Sequence, residues 1–180
     1  MSKNEAFASR PGPAMLLAGL LYREQSAFES AKGKLISKFG PILQETEGYE
    51  WHCRHYEDEL GWPVTRKFLF FERLVPPEDL PSIKQATNAM ETVLSKNGKR
   101  AVNIDPGYLT LANLVLASTK GYGHRIYMGG GIHAEVTLLY SKKEGRYIPQ
   151  MFTYRDFADE GNIMVFTEMR GKLKRKLAAG

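Results

Sequence analysis

The 180-residue sequence has one cysteine, Cys53, so no intrachain disulfide can form, and a reducing, cytoplasmic setting is the expectation. Its continuous apolar run Ala14–Tyr22 is nine residues long, well short of the roughly 20 that a membrane-spanning helix needs. No apolar segment before Ala14 is long enough for a secretory leader, so neither leader nor membrane span is expected. Internal repeats and low-complexity tracts are absent. The chain also lacks a phosphate-binding P-loop. None of Gly33-Lys34, Gly98-Lys99 and Gly171-Lys172 is followed by Ser or Thr or preceded by Gly at the required spacing. There is no G-x-S-x-G nucleophile elbow and no H-E-x-x-H zinc helix. Gly129-Gly130-Gly131 is not followed by a helical pattern, so it lacks the positive helix end that holds a pyrophosphate.

What is present is the balance of a soluble globular protein: 43% apolar, 25% charged, and 25 Lys and Arg against 20 Asp and Glu, a formal charge of +5. Residues 1–13 read as a flexible arm and 14–180 as a single domain. Ala14–Tyr22 reads as a strand buried on both faces. Residues 26–39 place Phe28, Ala31, Leu35, Ile36 and Phe39 on one helical stripe, closed by Gly40 and Pro41. Residues 42–53 predict a strand with an irregular middle at Gly48, and the aromatic-rich 64–74 another. A second helix spans 79–96 with Leu80, Ile83, Thr87, Met90 and Leu94 as its stripe, Pro81 in its first turn and Asn97-Gly98 as its stop. A short strand over 100–104 and a turn at Asp105-Pro106-Gly107 follow. The order β-α-β-β-α-β predicts an α+β fold with a ferredoxin-like core, two helices on one face of an antiparallel sheet.

The segment 109–118 fits a short buried helix or a strand. Residues 125–128 and 132–140, joined by the three glycines, read as a β-hairpin. A further arm over 147–149 and a helix near 163–177, striped by Phe166, Met169 or Arg170, Leu173 and Leu177, extend the core at its C-terminal side.

Five segments carry a family resemblance: LAGLLY at 17–22, FLFFERL at 68–74, VNIDPGYL at Val102–Leu109, LVLASTK at 114–120 and HRIYMGGGIHAEVTLLY at 124–140. Together they resemble the bacterial family known as domain of unknown function 4416, over roughly residues 16–154. NIDPGYL and HRIYMGGGIHAE are its specific parts. The resemblance implies a stand-alone cytoplasmic protein and brings no assigned activity, ligand or catalytic residue.

The residues themselves point to one candidate constellation. Asn103, Asp105 and Tyr108 flank the Asp-Pro-Gly segment, and Lys120, His124 and Arg125 lie in the glycine-spaced loop KGYGHR. His133 and Glu135 share one face of a strand. Lys120 and Arg125 form an anion-binding pair, with Asn103 and Tyr108 as further ligand contacts. His124 or His133 is the candidate proton-transfer group, oriented by Asp105 or Glu135. The structural alternative is an Asx turn at Asp105, a cross-strand ion pair between Arg125 and Glu135, and a solvated Lys120. A second cluster, His52, Cys53, His55, Asp58 and Glu59, sets His52, His55 and Glu59 on one helical face, or Cys53 and His55 on one strand face; no metal is assigned to it. In a third, Arg66, Lys67 and Arg73 interleave with Phe68, Phe70 and Phe71, a pattern found in cores and in surfaces that stack RNA bases.

Three functional expectations follow. The first is binding of a small anionic ligand, phosphorylated or a nucleotide, with catalysis and cofactor unassigned. The second is RNA binding through a sheet surface and the basic helix carrying Lys172, Lys174, Arg175 and Lys176. The third is a dimeric interaction protein paired through a sheet edge.

Overall fold

A computed structural model describes residues 10–52 and 54–179, without the side chains of residues 54, 55 and 57. Its centre is strand β1 (Ala14–Tyr22), buried at all nine positions. The alternation of its side chains explains why. Met15 and Leu17 enter one apolar cluster, and Leu16, Ala18, Leu20 and Tyr22 enter another. Successive strand residues point to opposite faces, so β1 has no wet side and reads as an unbroken apolar run.

The chain continues as α1 (Gln25–Phe39), β2 (Ile42–Glu45), β3 (Tyr49–Trp51), α2 (Arg54–Leu60), β4 (Val64–Val75), α3 (Leu80–Leu94) and β5 (Val102–Leu109). It ends with β6 (Asn113–Ser118), β7 (Ile126–Gly129), β8 (Ile132–Ser141), β9 (Arg146–Pro149), α4 (Arg155–Ala158) and α5 (Glu160–Ala179). The fold is mixed α/β: one nine-stranded sheet in the order β2-β4-β1-β5-β6-β8-β7, with β3 on β4 and β9 on β8. Every pairing is antiparallel.

Both faces of the sheet are covered. Phe28, Ala31 and Leu35 of α1 and Ile83 of α3 pack over Leu16, Ala18, Leu20 and Val102. On the opposite face Ile163, Phe166, Met169 and Leu173 of α5 pack over Met15, Leu17, Phe68 and Leu114. Phe68, Phe70 and Phe71 are fully buried. The aromatics of the third sequence cluster are therefore interior packing, split between the two cores.

One local expectation is corrected and one open alternative is resolved. Asp105-Pro106-Gly107 is not a turn. It lies inside β5, whose eight residues all pair with β1, from Tyr22↔Val102 to Met15↔Leu109. The proline is tolerated because of what lies on the other side of β5. There the ladder with β6 covers only Gly107–Leu109. Ile104 directs its N–H and C=O away from β1, to side chains of α3. Pro106 has the same parity, so its missing N–H falls where no strand waits for it. The alternative left open at 109–118 is resolved as strand. Leu109 ends β5, the Thr110 N–H closes a reversal on the Asn113 carbonyl at 2.8 Å, and β6 is a strand.

The glycine-linked hairpin forms as expected, with Gly129, Gly130 and Gly131 at φ +97°, +59° and +77°. Residues 42–51 form two short strands, both paired to β4. Residues 10–13 are exposed and outside regular structure, and the rest of the expected arm lies outside the described residues.

A candidate ligand cavity at the parting of two strands

Past Gly107 and Leu116 strands β5 and β6 separate, because Ala117 and Ser118 pair only with β8. The hollow beside this parting has a volume of about 790 Å³, within the roughly 300–1,000 Å³ typical of small-molecule sites. Its walls come from β1, the β3–α2 segment, β4, α3, β5, β6, the 119–125 loop, β8 and α4. Six Lys and Arg side chains line it against four carboxylates.

The first wall is built on Arg66, which is 1% exposed. It occupies an inward position in the alternation Val64, Arg66, Phe68, Phe70. Its guanidinium pairs with Asp156 (Nη2–Oδ2, 2.6 Å) and Asp105 (Nη1–Oδ2, 3.3 Å). The group lies 4.8 Å from the Phe68 ring centre and 5.3 Å from that of Phe157. Room for it exists because Gly19 has no side chain: a Cβ there would come within 2.8 Å of Nη2. Asn103, two residues before Asp105 and so on the same face, donates from Nδ2 to Asp105 Oδ2 at 2.9 Å.

The second wall is the tie between α3 and β5. Lys84 Nζ donates to the Ile104 carbonyl at 2.9 Å, and the Ile104 N–H donates to Glu91 Oε1 at 2.5 Å. Two side chains thus satisfy the backbone groups that a neighbouring strand would otherwise satisfy. Burial holds the Glu91 carboxyl above its ordinary range against the opposing pull of Lys84, the Ile104 amide and Arg100. Arg100 joins the cluster through Asn103 Oδ1 at 3.0 Å and a two-point contact with Glu59 at 2.6 and 2.7 Å.

The third wall is organised by Arg125, buried just ahead of β7. Nε donates to Glu135 Oε2 at 2.8 Å, and Nη1 to Ser118 Oγ and the Lys120 carbonyl at 2.7 and 2.9 Å. Nη2 donates to the Tyr154 hydroxyl at 2.6 Å. Four of its five N–H groups have protein acceptors, so Arg125 chiefly fastens the 119–125 loop to β8 and to the segment before α4. Burial raises the Tyr154 pKa against the pull of Arg125, keeping the hydroxyl neutral. His124 Nε2 lies 3.0 Å from Glu135 Oε2, and its ring stacks on Phe152 with centroids 4.2 Å apart.

Of the sequence candidates, Asn103, Asp105, Lys120, Arg125 and Glu135 line this one hollow. His124 reaches it through Glu135. His133 and Tyr108 do not line it. His133 shares a strand face with Glu135, but its ring packs on Tyr127 with centroids 5.2 Å apart and lies close under Gly121. Its buried Nδ1 has no partner among the described residues. Tyr108 packs against the small cluster of Leu80, Val115, Ala117 and Ile132, on the face of β5 opposite to Asn103 and Asp105.

Arg66 stood in the third sequence cluster rather than in the candidate constellation, and Asp156, Lys84, Glu91, Arg100 and Tyr154 stood in none of the three. Arg66 had a signal, a charge at an inward position of an alternating apolar strand. Lys84 and Glu91 also had one: with Leu80 and Thr87 they fall at i, i+4, i+7 and i+11, on the stripe that α3 buries. Asp156 had none in its local sequence.

Of the second sequence cluster, Cys53 and the His55 side chain lie outside the described residues, and His52 precedes α2. Among the described residues no three His, Cys, Asp or Glu side chains gather as a metal site, and no helix is long and apolar enough to cross a membrane. No curated protein and no solved structure matches the chain. A family model matches residues 12–173, including every strand and all three walls of the cavity, and the chain belongs to the family described as domain of unknown function DUF4416.

Proposed function

We propose that the cavity binds a small anionic ligand of nucleotide size. The observation that carries this reading is a nucleotide-sized hollow walled by more cations than carboxylates. Three of those six cations face acids in ion pairs that brace the walls: Arg66 faces Asp105 and Asp156, Arg100 faces Glu59 and Glu91, and Arg125 faces Glu135. Lys120 and Arg155 are the cations of the lining that are exposed to solvent, and they are the residues assigned to the anion. His124, steadied by Glu135, is the group assigned to proton transfer if the ligand reacts. The spatial order β2-β4-β1-β5, with α1 and α3 on one face, supports reading the first part of the chain as a ferredoxin-like core widened by β6–β9 and α5.

Thermal shift with phosphate esters and nucleotides tests the reading. A ligand present at 100 times its Kd stabilises by about 2.7 kcal/mol, a Tm rise of about 5–10 °C for a chain of this size. The rise should vanish in the double variant Lys120→Ala, Arg155→Ala while its ligand-free Tm stays near that of the parent. If no anion raises Tm, or the double variant keeps the full rise, the reading is wrong.

A further inference from the structure

We propose that Asp105 is the ligand-contacting acceptor of this cavity, so that the ligand is a phosphorylated polyol or nucleoside rather than a bare anion. The inference rests on the anion-binding reading above and adds the chemistry of the ligand's other end.

Three observations lead to it. Asp105 is the open member of its ion triad: its side chain is 27% exposed, against 1% for Arg66 and 9% for Asp156. Its two oxygens are unequally used. Oδ2 accepts from Asn103 Nδ2 and Arg66 Nη1, whereas Oδ1 accepts no hydrogen bond among the described residues. The side chain is also held in place from behind by those two donors, one of them on its own strand, so its aim is set before any ligand arrives.

An ionised carboxylate only accepts hydrogen bonds. It repels a phosphate placed against it and attracts hydroxyl or amino donors. Lys120 and Arg155 have the opposite preference. A cavity lined by both kinds of group therefore discriminates between a bare anion and an anion carrying donors. Trp51, Tyr122 and Tyr154 also line the cavity, with Tyr122 and Tyr154 about half exposed, and such rings suit the face of a sugar or a base.

The test compares inorganic phosphate, ribose 5-phosphate and adenosine 5′-monophosphate by isothermal titration on the full chain. The parent protein should bind at least one of the two esters about tenfold or more tightly than inorganic phosphate. Asp105→Asn should remove most of that margin and leave the phosphate affinity within about twofold. Asp105→Glu keeps a negative charge beside Arg66 while displacing the carboxylate by one methylene, and should also lose the margin; it serves if the Asn variant does not fold. A margin that survives in whichever variant folds overturns the proposal while leaving the anion reading intact. So does a parent protein that binds neither ester better than phosphate. A parent protein that binds none of the three overturns both readings together.

Discussion

At the scale of single residues, Arg66 and Gly107 are the positions where side-chain chemistry decides local structure. Arg66 is a fully buried cation held by two carboxylates and two aromatic rings. Arg66→Ala leaves the 9%-exposed Asp156 without its counter-charge, a change expected to cost about 3–5 kcal/mol. A urea denaturation midpoint moved by less than the equivalent of about 1 kcal/mol would show that the triad is not what holds this wall. Gly107 acts through space rather than charge. A Cβ there would stand 2.4 Å from the Val115 carbonyl oxygen and 2.8 Å from Leu116 Cδ2, so β6 would have to shift at the last rung of its ladder with β5. Gly107→Ala should therefore destabilise by about 1–3 kcal/mol and weaken ligand binding as well. Unchanged stability would mean that β6 can move away freely. These positions also measure what the sequence disclosed. Arg66 breaks the apolar alternation of its strand and so was visible as an anomaly. Gly107 sat in a tripeptide whose composition points to a turn, and only the long-range partner strand makes it a point of close approach.

Elements show the same contrast between local pattern and distant partner. The apolar run of β1, the stripes of α1, α3 and α5 and the glycine hairpin were legible, because each depends on periodicity within one segment. The path of β5 was not, since Asp-Pro-Gly forms a turn in most settings and becomes strand here only by pairing with β1 along its full length. The candidate site was legible in part for the same reason. Asp105, Arg125 and Glu135 stood out as chemically useful residues within their own segments, whereas Asp156 and Lys84 join them only through the packing of α4 and α3 around the sheet. The tie from α3 to β5 has a testable pH signature. Glu91 has a raised carboxyl pKa in the folded protein because of burial first of all. The folded state then binds a proton more readily than the unfolded chain, so this group's contribution favours folding at low pH and diminishes as pH rises above the ordinary value of 4.5. Subtracting the stability of Glu91→Gln from that of the parent, pH by pH, isolates this contribution. The difference should move against the parent as pH rises from about 4 through the displaced pKa. A difference that is flat, or that moves in the parent's favour, would contradict the burial argument.

For the whole molecule the arrangement of two cores around one sheet determines where a cavity can exist. One core joins α1 and α3 to the sheet, the other joins α5 to its opposite face, and β1 contributes alternate side chains to each. Cavity walls are polar because neither core fills the place where β5 and β6 part: Ile104 points into the first core, Leu116 into the second, and Asn103, Asp105 and Ser118 are left facing the opening. A sheet that separates two cores should also separate their energetics. Phe28 belongs to the α1 side, Phe166 to the α5 side, and both are fully buried. Each truncation to Ala should cost about 3–5 kcal/mol, so the milder changes to Leu are the ones to combine. In a double-mutant cycle Phe28→Leu and Phe166→Leu should add within about 0.5 kcal/mol, as distant sites without shared partners do. Phe157→Leu and Phe166→Leu form the contrasting cycle, because those rings stack with centroids 5.6 Å apart and share Phe68 as an edge-on neighbour. Their coupling is expected at about 0.5–3 kcal/mol. Strong coupling in the first cycle would mean that β1 transmits strain between the two faces of the sheet.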